Sequence, residues 1–92
     1  MNSSDLDGID YAIAQIEGFS AAFLDSFGQT RHIDQSLYRP SRDPIEAFRL
    51  MEKYILKIVR LERGWAAVGL SGRCSSGPTL PIAVCIAVIE AQ

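Results

Sequence analysis

Residues 77–92 read Gly77-Pro78-Thr79-Leu80-Pro81-Ile82-Ala83-Val84-Cys85-Ile86-Ala87-Val88-Ile89-Glu90-Ala91-Gln92. From 80 to 89 no side chain carries a charge, and a helix that is apolar on nearly every side has to be covered on nearly every side. The stretch predicts a central helix at 80–91, with Thr79 as its N-cap and Pro81 tolerated in its first turn. The other elements become its wrapping.

Moving toward the N-terminus, residues 72–77 are small and polar and read as a flexible turn, preceded by a strand at 65–71 built on Trp65, Ala67, Val68 and Leu70. Gly72 and Gly77 have the spacing of a phosphate-binding loop. Pro78 stands where that loop needs lysine, which removes both the ammonium and a backbone N–H. Nucleotide binding is therefore not expected there. No Gly-x-Ser-x-Gly elbow is present to suggest a serine hydrolase.

The middle of the chain opens with Asp43 at an N-cap position, Pro44 at the first helical position and Glu46 at the third. Apolar residues from Ile45 to Leu61 keep three- and four-residue steps, predicting one long helix at 44–62 closed by Gly64. Arg49, Lys53, Lys57 and Arg60 step by four, four and three along its other face. Together with Arg39 and Arg42 just upstream, they are the candidate surface for a partner protein or a phosphate backbone. Against nucleic acid stand the lack of interleaved aromatic residues and the overall acidity. Lys53 and Lys57 also repel each other at helical spacing.

At the start of the chain, Ser4 and Asp7 suggest a capping box, and Leu6, Ile9, Ala12, Ile13 and Ile16 recur at helical steps until Gly18. That gives a helix at 5–17 with Asp7, Asp10, Gln15 and Glu17 toward water. Residues 20–26 suit a short strand, although Ser-Ala-Ala-Phe-Leu could also turn as helix. A polar loop at 28–42 holds the only histidine, His32, which has no paired acid in sequence and receives no role.

The 92 residues predict a single domain, 1–92, and a chain this short buries little more than ~60% of its unfolded surface. Its 48% hydrophobic content is ordinary for a globular domain. No apolar run reaches the ~18 residues of a membrane span, and the start, Met1-Asn2-Ser3-Ser4-Asp5, lacks the positive charge of a secretory signal. A cytoplasmic protein is expected.

The net charge of −2 hides an asymmetry, with residues 1–30 at −5, 31–73 at +4 and 74–92 at −1. Such segregation can pair an acidic first helix with the basic middle of its own or a second chain, or steer an external partner. Cys74 and Cys85 have no metal-site spacing. No catalytic, cofactor-binding or metal-ligating residue is assigned, and no enzyme is expected.

Four blocks taken together resemble a known family: residues 6–18, Tyr38-Arg39-Pro40-Ser41-Arg42-Asp43, Gly64-Trp65-Ala66-Ala67, and Gly77-Pro78-Thr79-Leu80-Pro81-Ile82-Ala83. They look like the blocks of the phage ABA sandwich domain proteins and of the NinX-type proteins of lambdoid phages. The resemblance implies a phage or prophage gene product in the host cytoplasm, with no activity attached. It also implies a two-strand hairpin between the middle and last helices, where 64–77 has room for one clear strand. A missing sheet edge would favour a homodimer.

The expected fold is α+β, a small α/β/α sandwich with three helices packed on a short two- to three-stranded sheet. The expected function is a non-enzymatic accessory role through protein–protein interaction, such as inhibition of a host or defence factor. The alternative is nucleic-acid binding by the basic face of the middle helix.

Overall fold

A computed structural model describes residues 2–19 and 21–92. Three helices, α1 (Ser3–Ile16), α2 (Pro44–Tyr54) and α3 (Leu80–Glu90), combine with two antiparallel sheets. One sheet pairs β1 (Phe23–Leu24) with β2 (Thr30–Arg31), and the other runs β3 (Ile55–Leu61), β4 (Gly64–Gly69), β5 (Cys74–Gly77). This is the expected α+β class.

Helix α3 is central. Ile82, Ala83, Val84, Cys85, Ala87 and Val88 are all buried, four of them completely. The three-stranded sheet lies on one side of α3, while α1 and α2 pack on α3 itself. Small residues permit this close approach. A Cβ added to Gly77 would come within 2.9 Å of the Ala83 backbone nitrogen, so β5 runs directly beneath the helix. Thr79 caps α3 by accepting the Ile82 N–H at 3.3 Å, as expected. Ser75, on the same sheet face, donates to Glu90 at 2.8 Å and ties β5 to the far end of α3.

The helix expected at 44–62 stops at Tyr54 and continues without a loop as β3. Ile55 already has φ −113° and ψ 128°, so the backbone straightens at that residue. Ile55, Ile58 and Val59 are β-branched and lose little by extending. Pairing with β4 then supplies the hydrogen bonds that a longer helix would have made, with Ile58 opposite Ala67 and Arg60 opposite Trp65. The repulsion between Lys53 and Lys57 disappears, because only the first remains on a helix.

The expected strand at 65–71 becomes β4, ending at Gly69. Residues 74–77, read as part of a flexible turn, form β5 and pair with β4 from Val68↔Cys74 to Trp65↔Gly77. Three strands therefore lie between α2 and α3. The shortage of strands that favoured a homodimer does not exist.

In the N-terminal half, the strand expected at 20–26 shrinks to Phe23–Leu24, and position 20 lies outside the described residues. The loop at 28–42 contributes β2. Helix α1 begins two residues earlier than expected, with Asn2 as N-cap in a reciprocal capping box with Asp5. Asp10, expected toward water, is fully buried and accepts from the Ser41 N–H at 2.9 Å and from Arg42 at 2.7 Å. Arg42 also reaches Asp7 at 2.7 Å. The segregated charge of the sequence is thus spent partly within the fold, binding α1 to the segment ahead of α2.

Candidate functional site

The six candidate cations do not form one surface. Arg42 is held by Asp7 and Asp10, and its side chain is only 21% exposed. Burial alone would lower its pKa, and the hydrogen bonds to the two carboxylates overcome this and raise it. Arg39 is partly buried with its Nε lacking a partner among the described residues, and with Arg42 it lines a shallow cavity of about 430 Å³. On α2, Arg49 pairs with Glu46 at 3.1 Å and Lys53 with Glu17 at 2.6 Å. Lys57 and Arg60 lie on β3 instead. The basic face of a single middle helix is therefore absent, because its second half is a strand.

Strand β3 offers a different surface. It pairs with β4 along one edge, and no strand covers its other edge among the described residues. Leu56 is 64% exposed and Leu61 44%, an apolar pair bracketing exposed Lys57 and Arg60. Arg60 stacks its guanidinium 5.6 Å from the centre of the Trp65 ring, as its pairing register allows. Lys57, Arg60 and Arg63 make no ion pair among the described residues. A register shift between Ile55 and Lys57 irregularises the first part of the strand and leaves residues 57–61 in continuous pairing register. Nearby in sequence, α2 exposes Ile45 and Phe48.

A second feature lies where α1 ends. Gly18, at φ 78°, lets the Phe19 N–H bond the Ala14 carbonyl at 3.0 Å and its own N–H bond Gln15 at 3.1 Å. This left-handed helix stop turns Phe19 back onto the core. Phe19, His32 and Tyr38 then meet edge to face, with ring centres 5.1–5.2 Å apart. The expectation of an uninvolved surface histidine is corrected, since His32 packs against two rings.

Phe19 and Tyr38 wall a cavity of about 460 Å³ shared with Glu17, Glu46, Arg49, Leu50, Glu52 and Lys53. Burial, then the charges of Glu17 and Glu46, push the Tyr38 phenol well above its ordinary pKa. The Glu17 side chain is only 6% exposed, and its Oε1 has no hydrogen-bond partner among the described residues. The Tyr54 hydroxyl is within hydrogen-bonding reach of this carboxylate, which raises the phenol's pKa, without an aligned bond to Oε1.

No group of three or more His, Cys, Asp or Glu side chains that could hold a metal occurs among the described residues. No described helix is long and apolar enough to cross a membrane. Comparison with protein-family models, with curated proteins and with solved structures finds no match for this chain.

Sequence reasoning missed both features for identifiable reasons. The β3 edge was hidden by apolar spacing that suits a helix as well as a strand. Glu17 was placed toward water because nothing within α1 shows that Lys53 and the wall of the cavity will cover it.

Proposed function

We propose that this chain is a small non-enzymatic accessory protein, of phage or prophage kind, that acts in the host cytoplasm by binding another protein. Its partner adds an acidic, extended segment to the free edge of β3. The observation that carries this reading is a strand edge that, among the described residues, is unpaired and bears unneutralised Lys57 and Arg60 between exposed Leu56 and Leu61. Strand addition takes its affinity from main-chain hydrogen bonds and its selectivity from alternate side chains. Positive charge along the edge favours carboxylates and discourages pairing with another basic strand. Inhibition of a host or defence factor is the role most in keeping with a domain to which no catalytic group is assigned.

The same cations support a second reading, nucleic-acid binding by Lys57, Arg60 and Arg63 from the strand instead of a helix. Selection of peptides from a random display library on the purified protein separates the two. Acidic, β-prone sequences are expected, with slowed amide exchange at Ile58 and Arg60 and about tenfold weaker binding to the double variant Lys57→Glu, Arg60→Glu. If the selected peptides are not acidic, or bind the double variant equally well, the reading fails. Salt-sensitive binding of a random-sequence DNA or RNA, lost in that variant, would favour the second reading.

A further inference from the structure

The cavity beside Glu17 is separate from the β3 edge and does not depend on the reading given to it. A carboxylate at the C-cap of α1 sits at the negative end of the helix dipole, where anions are disfavoured. Its side chain is also nearly buried. Its last turn contains no basic residue to compensate. Among the described residues the one cation that reaches it, Lys53, comes from another helix and is itself 59% exposed. Among the described residues one carboxylate oxygen is left without a partner, the Tyr54 hydroxyl lying within reach but making no aligned bond to it. A purely structural ion pair would be expected to satisfy both oxygens, since an orphaned buried acceptor costs about 1–3 kcal/mol.

The surroundings suit a cation. Glu46 and Glu52 join Glu17 in the cavity wall, giving three carboxylates against the two cations Arg49 and Lys53. The ring walls of Phe19 and Tyr38 add the apolar and π surfaces on which alkylammonium groups are held. Lys53 demonstrates the fit, placing an ammonium nitrogen 2.6 Å from Glu17 Oε2. Being exposed, this side chain can move into water once another cation takes its place on Glu17.

We propose that the cavity bounded by Glu17, Phe19 and Tyr38 binds an alkylammonium group, and that Lys53 is a built-in competitor occupying the site until such a group displaces it. The ammonium donates to both oxygens of Glu17, satisfying Oε1, while its carbon chain lies against the two rings. The group can arrive as a free polyamine or as a lysyl side chain of a protein, and its chemistry at the site is the same.

The test is a titration followed by NMR shifts of Gly18 and of the Phe19 and Tyr38 rings. The probes are spermidine for the free amine, acetyl-Gly-Lys-Gly-amide for the lysyl side chain, and 1-butanol as a neutral analogue. Removing the competitor in Lys53→Ala should tighten binding of a charged probe by about tenfold, in keeping with loss of an intramolecular ligand. Adding Glu17→Gln to that variant should reverse the gain, while adding Glu52→Gln on the exposed rim should change affinity less than about twofold. Which probe binds more tightly identifies the source.

Unchanged affinity in Lys53→Ala would overturn the proposal. So would equal losses from Glu17→Gln and Glu52→Gln, which would mean diffuse attraction to the acidic rim. If the Glu17 variant does not fold, the charged and neutral probes on Lys53→Ala decide alone: 1-butanol binding as well as spermidine overturns the proposal, and selective binding of spermidine upholds it.

Discussion

Residues 80–90 and residues 44–61 both repeat aliphatic side chains, the first far more densely, and the first behaves as its sequence suggests while the second does not. In α3 the apolar residues point in every direction, and the fold covers most of that surface, so the helix is specified by its own composition. In the second stretch, apolar and charged residues alternate at steps compatible with both a helix and a strand. Ile55, Ile58 and Val59 could continue the α2 stripe or line a sheet. The outcome depends on β4, a partner distant from the choice being made. A segment buried on all sides reports its own structure, while an amphipathic one reports only that some partner exists.

That contrast can be broken most forcefully at α3. Val88 has no exposed surface, and Val88→Asp should cost about 3–5 kcal/mol by leaving an unpaired charge in the core. Much of a typical total stability of ~5–15 kcal/mol would be lost. Ile86, only partly buried, should tolerate the same change better. A Val88→Asp midpoint unchanged from that of the parent protein would show that α3 is peripheral.

The strand half of the comparison rests on Gly64, which turns the chain from β3 into β4 at φ 154°. A Cβ there would collide with the Gly77 carbonyl oxygen and crowd Pro78 Cα at 3.3 Å. Gly64→Ala should therefore destabilise the protein by about 1–3 kcal/mol. The loss should be accompanied by faster amide exchange in β3 and β4 before α3 is affected. Unchanged exchange across residues 55–69 would undermine the hairpin.

Alkaline pH probes the same core more gently. Burial pushes the Cys85 thiol above its ordinary pKa of 9.0, and burial with nearby carboxylates does the same for Tyr38 above 10.0. Both groups are neutral in the folded state when the unfolded chain begins to ionise. Their contribution is complete below pH 9 and falls as pH rises, by about 1.4 kcal/mol per pH unit for each titrating group. In Cys85→Ala the stability slope between pH 9 and pH 10 should flatten correspondingly, whatever the variant's stability at neutral pH. An identical slope would mean that the thiol is accessible.

The smallest effect is at the helix starts. Thr79→Ala and Asp43→Ala each remove a side-chain acceptor, from the Ile82 and Ile45 N–H groups respectively. Each should lower stability by about 1 kcal/mol in chemical denaturation. A much larger loss at Asp43 would indicate that capping also holds the α2–β3 junction.

Local chemistry explains what was legible. The Thr79 and Asp43 caps, Pro44 at a helix start and the Gly18 stop depend on residues within a few positions of one another, and each lies where the sequence places it. The α1 cap was misplaced by two residues because Asn2 and Ser4 are both competent caps. Asp10 was misread for another reason. An acid on a helix flank usually faces water, and nothing within α1 indicates that Arg42 and the Ser41 N–H will cover it.

The sequence by itself determined the central helix, its caps, the α+β class and the presence of opposite charges that could meet within the chain. Tertiary structure alone decided that residues 55–61 extend, that 74–77 join them in a sheet, and that Glu17 is drawn into a cavity beside Phe19 and Tyr38. The physical reason is range. Caps, turns and uniform hydrophobicity act over a turn of helix or less, whereas a strand edge or a buried carboxylate is defined by groups that come near only once the chain has folded.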